Sequence, residues 1–146
     1  MERSKAPTHL WIVGIVSLLW NAYGAFDYLM TRTRNEAYLS ALPVDYDELM
    51  EYIDSFPLVA DIGWGLGVWG AVLGSVLLLL RSRYAVHSFA VSLVGAVVSL
   101  GYDMFMADKP EGMSGGIFDI MPIVIILIAV ALLYYARRQA AAGVLR

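Results

Sequence analysis

The sequence contains no cysteine, which closes off disulfides, thiolate metal sites and a thiol nucleophile. Charge is scarce as well: only 16% of the 146 residues are Asp, Glu, Lys or Arg, and no basic surface for nucleic acid can be assembled from them. The two histidines, His9 and His87, stand at no metal-ligand spacing. There is no nucleotide-binding loop, no HExxH and no Ser/His/Asp set with plausible geometry, so neither an enzyme, a cofactor nor a metal is expected. What remains is apolar residues, at 60% of the chain. That is too many for an ordinary soluble domain, and the chain is too short for two domains.

The apolar residues fall in four long runs: Trp11 to Met30, Val59 to Leu80, Val86 to Met106 and Ile117 to Tyr135. Each matches the length of helix, about 20 residues at 1.5 Å apiece, that spans a hydrocarbon core of roughly 30 Å. Charged or turn-forming residues bound them: Arg32 and Arg34, Pro57, Arg81 and Arg83, Lys109 and Pro110, Arg137 and Arg138. The first run follows Arg3 and Lys5 as a secretory signal would, but its apolar character continues through Phe26 to Met30. The expected fold is an all-α bundle of four transmembrane helices forming one domain in the lipid bilayer.

Orientation follows from the cations, because cytoplasmic loops retain Lys and Arg. Arg3, Lys5, Arg81, Arg83, Arg137, Arg138 and Arg146 fall on one side, against Arg32, Arg34 and Lys109 on the other. Both termini are therefore expected in the cytoplasm. All the acids except Glu2 lie in the outer loops or near the outer helix ends.

The outer loop, residues 31–57, carries its own helical signals. Asn35 is placed to cap a short helix, and Asp45 with Glu48 has capping-box spacing for a second. In that second segment Tyr46, Leu49, Met50, Ile53 and Phe56 repeat at helical intervals among acids. Such an amphipathic acidic segment either lies on the membrane surface or covers the top of the bundle.

Lipid tails give helices no hydrophobic reason to associate, so close packing through small residues and interhelical hydrogen bonds must do it. Gly63, Gly67, Gly70 and Gly74 form one stripe of the second run; Ser88, Ser92, Gly95 and Ser99 form another on the third. Gly14, Ser17, Asn21 and Ala25 do the same on the first. These three faces are expected to meet in the bundle interior or at a subunit interface, leaving the fourth run most exposed to lipid.

Ionisable groups inside a membrane are costly and so are candidate functional groups. Each run has one Asp near its outer end: Asp27, Asp61, Asp103 and Asp119. Asp61 and Asp119 sit where a helix N-terminus favours a carboxylate, and a capping role explains them. Asp27 and Asp103 sit at helix C-termini, where the dipole opposes them. Asp103 extends the Ser88–Ser99 stripe into the bundle and is the leading solute- or cation-binding candidate. Asp27 is either a second ligand or the partner of Arg32 or Arg34. Asn21, mid-membrane, is either interhelical glue or a third ligand. The aromatic rings of Trp20, Tyr23, Trp64 and Trp69 offer faces for a sugar or organic cation.

The stretches Trp20-Asn21-Ala22-Tyr23-Gly24-Ala25-Phe26-Asp27-Tyr28, Thr33-Arg34-Asn35-Glu36-Ala37-Tyr38 and Gly67-Val68-Trp69-Gly70-Ala71-Val72-Leu73-Gly74-Ser75 resemble a family of small bacterial inner-membrane proteins often labelled sugar transporters. That resemblance implies a bacterial inner-membrane location and a role in solute transport, with no binding residues to carry over. Two functions are thus in play. The chain is a transporter or binder of a small polar solute or cation, working as a homo-oligomer because four helices give little room for alternating access. Alternatively, it is an accessory subunit that packs against another membrane protein.

Overall fold

The computed structural model describes residues 5–146. Glu2 and Arg3, counted in the charge balance above, lie outside them. The described chain is helical throughout: α1 (Thr8–Arg32), α2 (Glu36–Leu39), α3 (Tyr46–Asp54), α4 (Leu58–Leu79), α5 (Tyr84–Phe105) and α6 (Ile117–Ala141), with a single 3-10 turn at Glu111–Met113. Four of these, α1, α4, α5 and α6, are long and apolar enough to cross a membrane. Two helices overrun their apolar segments. α1 starts at Thr8 behind an extended Pro7, and α6 continues past Tyr135 to Ala141. Hydropathy marks only the lipid-facing length, whereas Ala, Arg and Gln sustain helix beyond it.

The helices stand in a row, α1 against α4, α4 against α5, and α5 against α6. The α4–α5 seam is the tightest, and glycine makes it so. A Cβ on Gly67 would lie 3.2 Å from the Ala96 backbone, and one on Gly74 would lie 2.6 Å from the Phe89 ring. Two serine hydroxyls donate across this seam, Ser88 to the Gly70 carbonyl at 2.7 Å and Ser92 to the Gly67 carbonyl at 2.6 Å. Such bonds are worth about 0.6–2 kcal/mol each within a membrane. Ser99 is buried in α5. The two stripes therefore serve each other, α4 to α5. The α1 stripe meets a different face of α4: Gly14 abuts Leu79, and Asn21 reaches Ala71 and Ser75. The expected common interior is instead two successive pairwise seams.

At the end bearing both termini the row closes. Leu10, Leu78, Ala85, Phe89, Leu132 and Ala136 form a buried core drawn from all four long helices. His9 Nδ1 and the Tyr135 hydroxyl share a hydrogen bond of 2.6 Å that links α1 to α6. Away from that end α1 and α6 stand apart over an apolar groove of about 370 Å³, lined by Ile12, Val13, Val16, Ser17, Trp20, Ile128 and Leu132.

The tail after α6 completes the core. Gly143, at φ 78°, ends the helix in the left-handed turn that favours glycine, and the chain doubles back. Val144 and Leu145 are buried, while Arg146 exchanges backbone bonds with the α4–α5 turn: its N–H donates to the Arg81 carbonyl and its carbonyl accepts from Arg83. Arg81 itself has φ 58°, a conformation that costs a non-glycine residue about 1 kcal/mol. Its Nε donates to the Val144 carbonyl at 3.1 Å, so tail and turn hold each other.

At the opposite end a small cap sits on the helices. Asn35 caps α2 by accepting from Tyr38 N, and Asp45 caps α3 by accepting from Asp47 N rather than in a reciprocal box with Glu48. The apolar stripe of α3 faces inward. Leu39, Leu49, Met50 and Tyr52 form a second core with Ile53, Phe56, Ala107 and Met113 around it. Phe56 packs edge-on to Tyr102 of α5, 4.9 Å between centroids. Pro43 and Gly112 touch so closely that a Cβ on Gly112 would overlap the Pro43 carbonyl. Between the two placements open to the α3 segment, covering the bundle is the one adopted, with the 106–116 loop supplying the other half of the cap.

Candidate functional site

The three ion pairs found among the described residues all lie at the cap end. Asp103, in the last turn of α5, meets Lys109 Nζ at 3.4 Å, with both side chains less than a fifth exposed. A helix C-terminus disfavours a carboxylate, and the ammonium supplied by the following loop compensates for it. Asp27 accepts a 2.7 Å hydrogen bond from the Tyr38 hydroxyl. The expected pairing of Asp27 with Arg32 or Arg34 is not the one formed. Arg34 instead binds Asp54 of α3 at 2.6 Å, and Arg32 binds Asp61 of α4 at 3.3 Å. The reason lies in the end of α1. Arg34 adopts a left-handed φ of 56°, with Asn35 N–H returning to the Met30 carbonyl, and this turn precedes the α2–α3 cap.

Asp61 was expected to cap α4, yet Pro57 occupies the cap position and no side chain closes it. Asp61 still lies in the first turn, and its partner Arg32 in the last turn of α1, so each charge also suits its own helix dipole. Asp119 is exposed at the start of α6. Asp27, Asp61 and Asp103 therefore each meet a separate partner. Among the described residues no group of three or more His, Asp or Glu is placed to hold a metal ion.

Asn21 is buried, and its amide donates to Ser75 Oγ at 2.8 Å and to the Ala71 carbonyl at 3.2 Å. Ser75 Oγ in turn donates to Ala71 O at 2.9 Å. This is the interhelical-glue reading of Asn21, tying α1 to α4. Among the described side chains, no buried polar atom lacks a hydrogen-bond partner.

Tyr38 links the cap to α1. Burial first, then its bond to Asp27 and that carboxylate's charge, push its phenol well above the ordinary value of 10.0. Tyr38 therefore remains a donor to Asp27 through neutral and mildly alkaline pH, and this tie of α2 to α1 is lost only on strong alkalinisation.

One cluster was not singled out in the sequence as a unit. The Arg32 guanidinium lies 5.0 Å from the centre of the Trp64 ring and 5.6 Å from that of Tyr28, in addition to its contact with Asp61. Tyr28 and Trp64 are edge-to-face at 4.6 Å, and Trp69 lies 6.0 Å from Tyr28. Gly65 leaves room for the Tyr28 hydroxyl, which would be 3.3 Å from a Cβ there. The available signal was Tyr28 and Arg32 at i and i+4 on one helix, opposite the Asp61–Trp64 turn of the next.

Comparison with protein-family models, curated proteins and solved structures finds no match to this chain.

Proposed function

We propose that this chain is an accessory membrane subunit that packs its α1–α6 face against another membrane-embedded helix. Its expected setting is a bacterial inner membrane, with both termini in the cytoplasm and the acidic cap outside. The observation supporting this reading is where the polar groups are spent. Asn21, Asp27 and Asp103, the side chains suited to a solute, each hold a neighbouring element of the same chain. Transport of a sugar or cation through them would require all three to exchange these partners. The α1–α6 groove, by contrast, is apolar, and Ile12, Val16 and Trp20 on its α1 wall are exposed.

A photo-crosslinking residue at Val16 is expected to capture one protein, either a second copy or a different membrane protein, and Ile12→Trp, at an exposed position on the same groove, should reduce capture. The same probe at Leu73, exposed on α4, serves as the comparison. Capture of lipid alone at Val16 would overturn the reading.

Orientation has a separate test, made clean by the absence of native cysteine. In intact cells, Ser114→Cys in the cap should react with a membrane-impermeant maleimide, and Ala142→Cys should react only after lysis. The opposite pattern would reverse the proposed topology.

A further inference from the structure

The cluster around Arg32 has the parts of a receptor for an organic cation, and the chain's own guanidinium occupies it. We propose that Tyr28, Trp64 and Asp61 form a binding site for a methylated ammonium group, with Arg32 as a tethered competitor that holds the site closed. Three features of the site carry this. Two aromatic rings lie within reach of one cation, their centres 5.0 and 5.6 Å from the guanidinium carbon. A carboxylate approaches the same cation at 3.3 Å. The Arg32 and Asp61 side chains are 35% and 28% exposed, so the site opens to its surroundings rather than lying sealed in the core.

The chemistry selects the ligand class. Ring faces attract cations through their quadrupole, and the attraction is greatest for a cation that gives up little hydration. A quaternary ammonium meets that condition and offers no N–H, so it needs no hydrogen-bond acceptor beyond the Asp61 charge. An inorganic ion would gain little from the rings. Arg32 reaches the box from the end of α1, where its departure would break no backbone hydrogen bond. The site is on the α1–α4 side of the cap end, away from the α1–α6 groove, and does not depend on any partner there.

The test is tetramethylammonium titrated into the full chain in phosphatidylglycerol nanodiscs, read from the methyl resonance of the tetramethylammonium itself. Arg32→Ala is expected to bind about tenfold more tightly than the unaltered chain, since the tethered competitor is gone. Adding Trp64→Leu or Asp61→Asn to Arg32→Ala should return affinity to the starting level. Equal affinity with and without Arg32, or affinity indifferent to Trp64→Leu, would overturn the proposal.

Arg32→Gln provides the same comparison while keeping a polar, uncharged side chain closer to the size of arginine than alanine is. In the unaltered chain, saturating tetramethylammonium should also displace Arg32 and move its Nε–H resonance; a resonance that stays in place would likewise overturn it. Nanodiscs with the phosphatidylglycerol fraction held constant and the remainder either phosphatidylcholine or phosphatidylethanolamine separate the two sources of such a group at equal surface charge. Weaker apparent binding of tetramethylammonium to Arg32→Ala in the phosphatidylcholine discs identifies a lipid headgroup as the ligand, and equal binding in both identifies a free cation.

Discussion

Gly95→Ala is expected to destabilise the folded chain by about 2–3 kcal/mol, the upper range for an overpacked core. A Cβ at this position would lie 2.5 Å from the Gly63 carbonyl oxygen and 2.8 Å from the Gly67 nitrogen. Both are backbone atoms of the facing helix, so no rotamer change makes space. α4 and α5 would have to separate, which stretches the Ser88 and Ser92 hydrogen bonds to Gly70 and Gly67. Gly101→Ala, six residues along the same helix, meets nothing within 4 Å and should instead stabilise by about 0.5–1 kcal/mol through helix propensity alone. Unfolding in mixed detergent micelles measures both. Equal stability of the two variants would mean that α4 and α5 do not pack at this register.

The second large effect concerns the Asp103–Lys109 pair. Lys109→Met should cost about 2–3 kcal/mol, because it leaves a largely buried carboxylate at a helix C-terminus without its cation. Asp103→Leu should cost somewhat less, since Lys109 sits on a loop and its long side chain can turn toward water. The double variant should be more stable than the two single costs added together would allow, by about 1–2 kcal/mol, as groups in direct contact require. Strict additivity would show that the two charges do not stabilise one another. The same cycle bears on function: if Asp103 instead served solute uptake, Asp103→Asn would abolish transport while leaving the protein folded and inserted.

Much of this architecture could be read from residue order because it rests on local rules. Helix number and approximate extent follow from apolar runs matched to a bilayer, and the short cap helices were announced by Asn35 and Asp45. Glycine and serine stripes announced that α4 and α5 would be packing helices, since small residues recurring on one side of a helix have few other uses in lipid. Asn21 was legible as glue for the same reason: a buried amide must find a partner.

The partners of the charges were another matter. Arg32 is far nearer in sequence to Asp27 than to Asp61, yet it pairs with Asp61. Which acid it meets depends on how α1 and α4 are placed side by side and on the left-handed turn at Arg34 that sends the cap back over α1. Neither can be computed from spacing. The fold-back of Val144–Arg146 was also missed; a short apolar stretch after Gly143 is a faint signal by itself.

The residue order by itself thus determined the four helices long and apolar enough to cross a membrane and the faces that must be small, because each is set by the period and composition of one helix at a time. Only the tertiary structure decided which face meets which. It divided the small-residue stripes between two seams, turned the α3 stripe inward and matched each acid to its cation. Those choices depend on distances between atoms far apart in the chain, and a bond of a few ångströms is won or lost by how whole helices stand against each other.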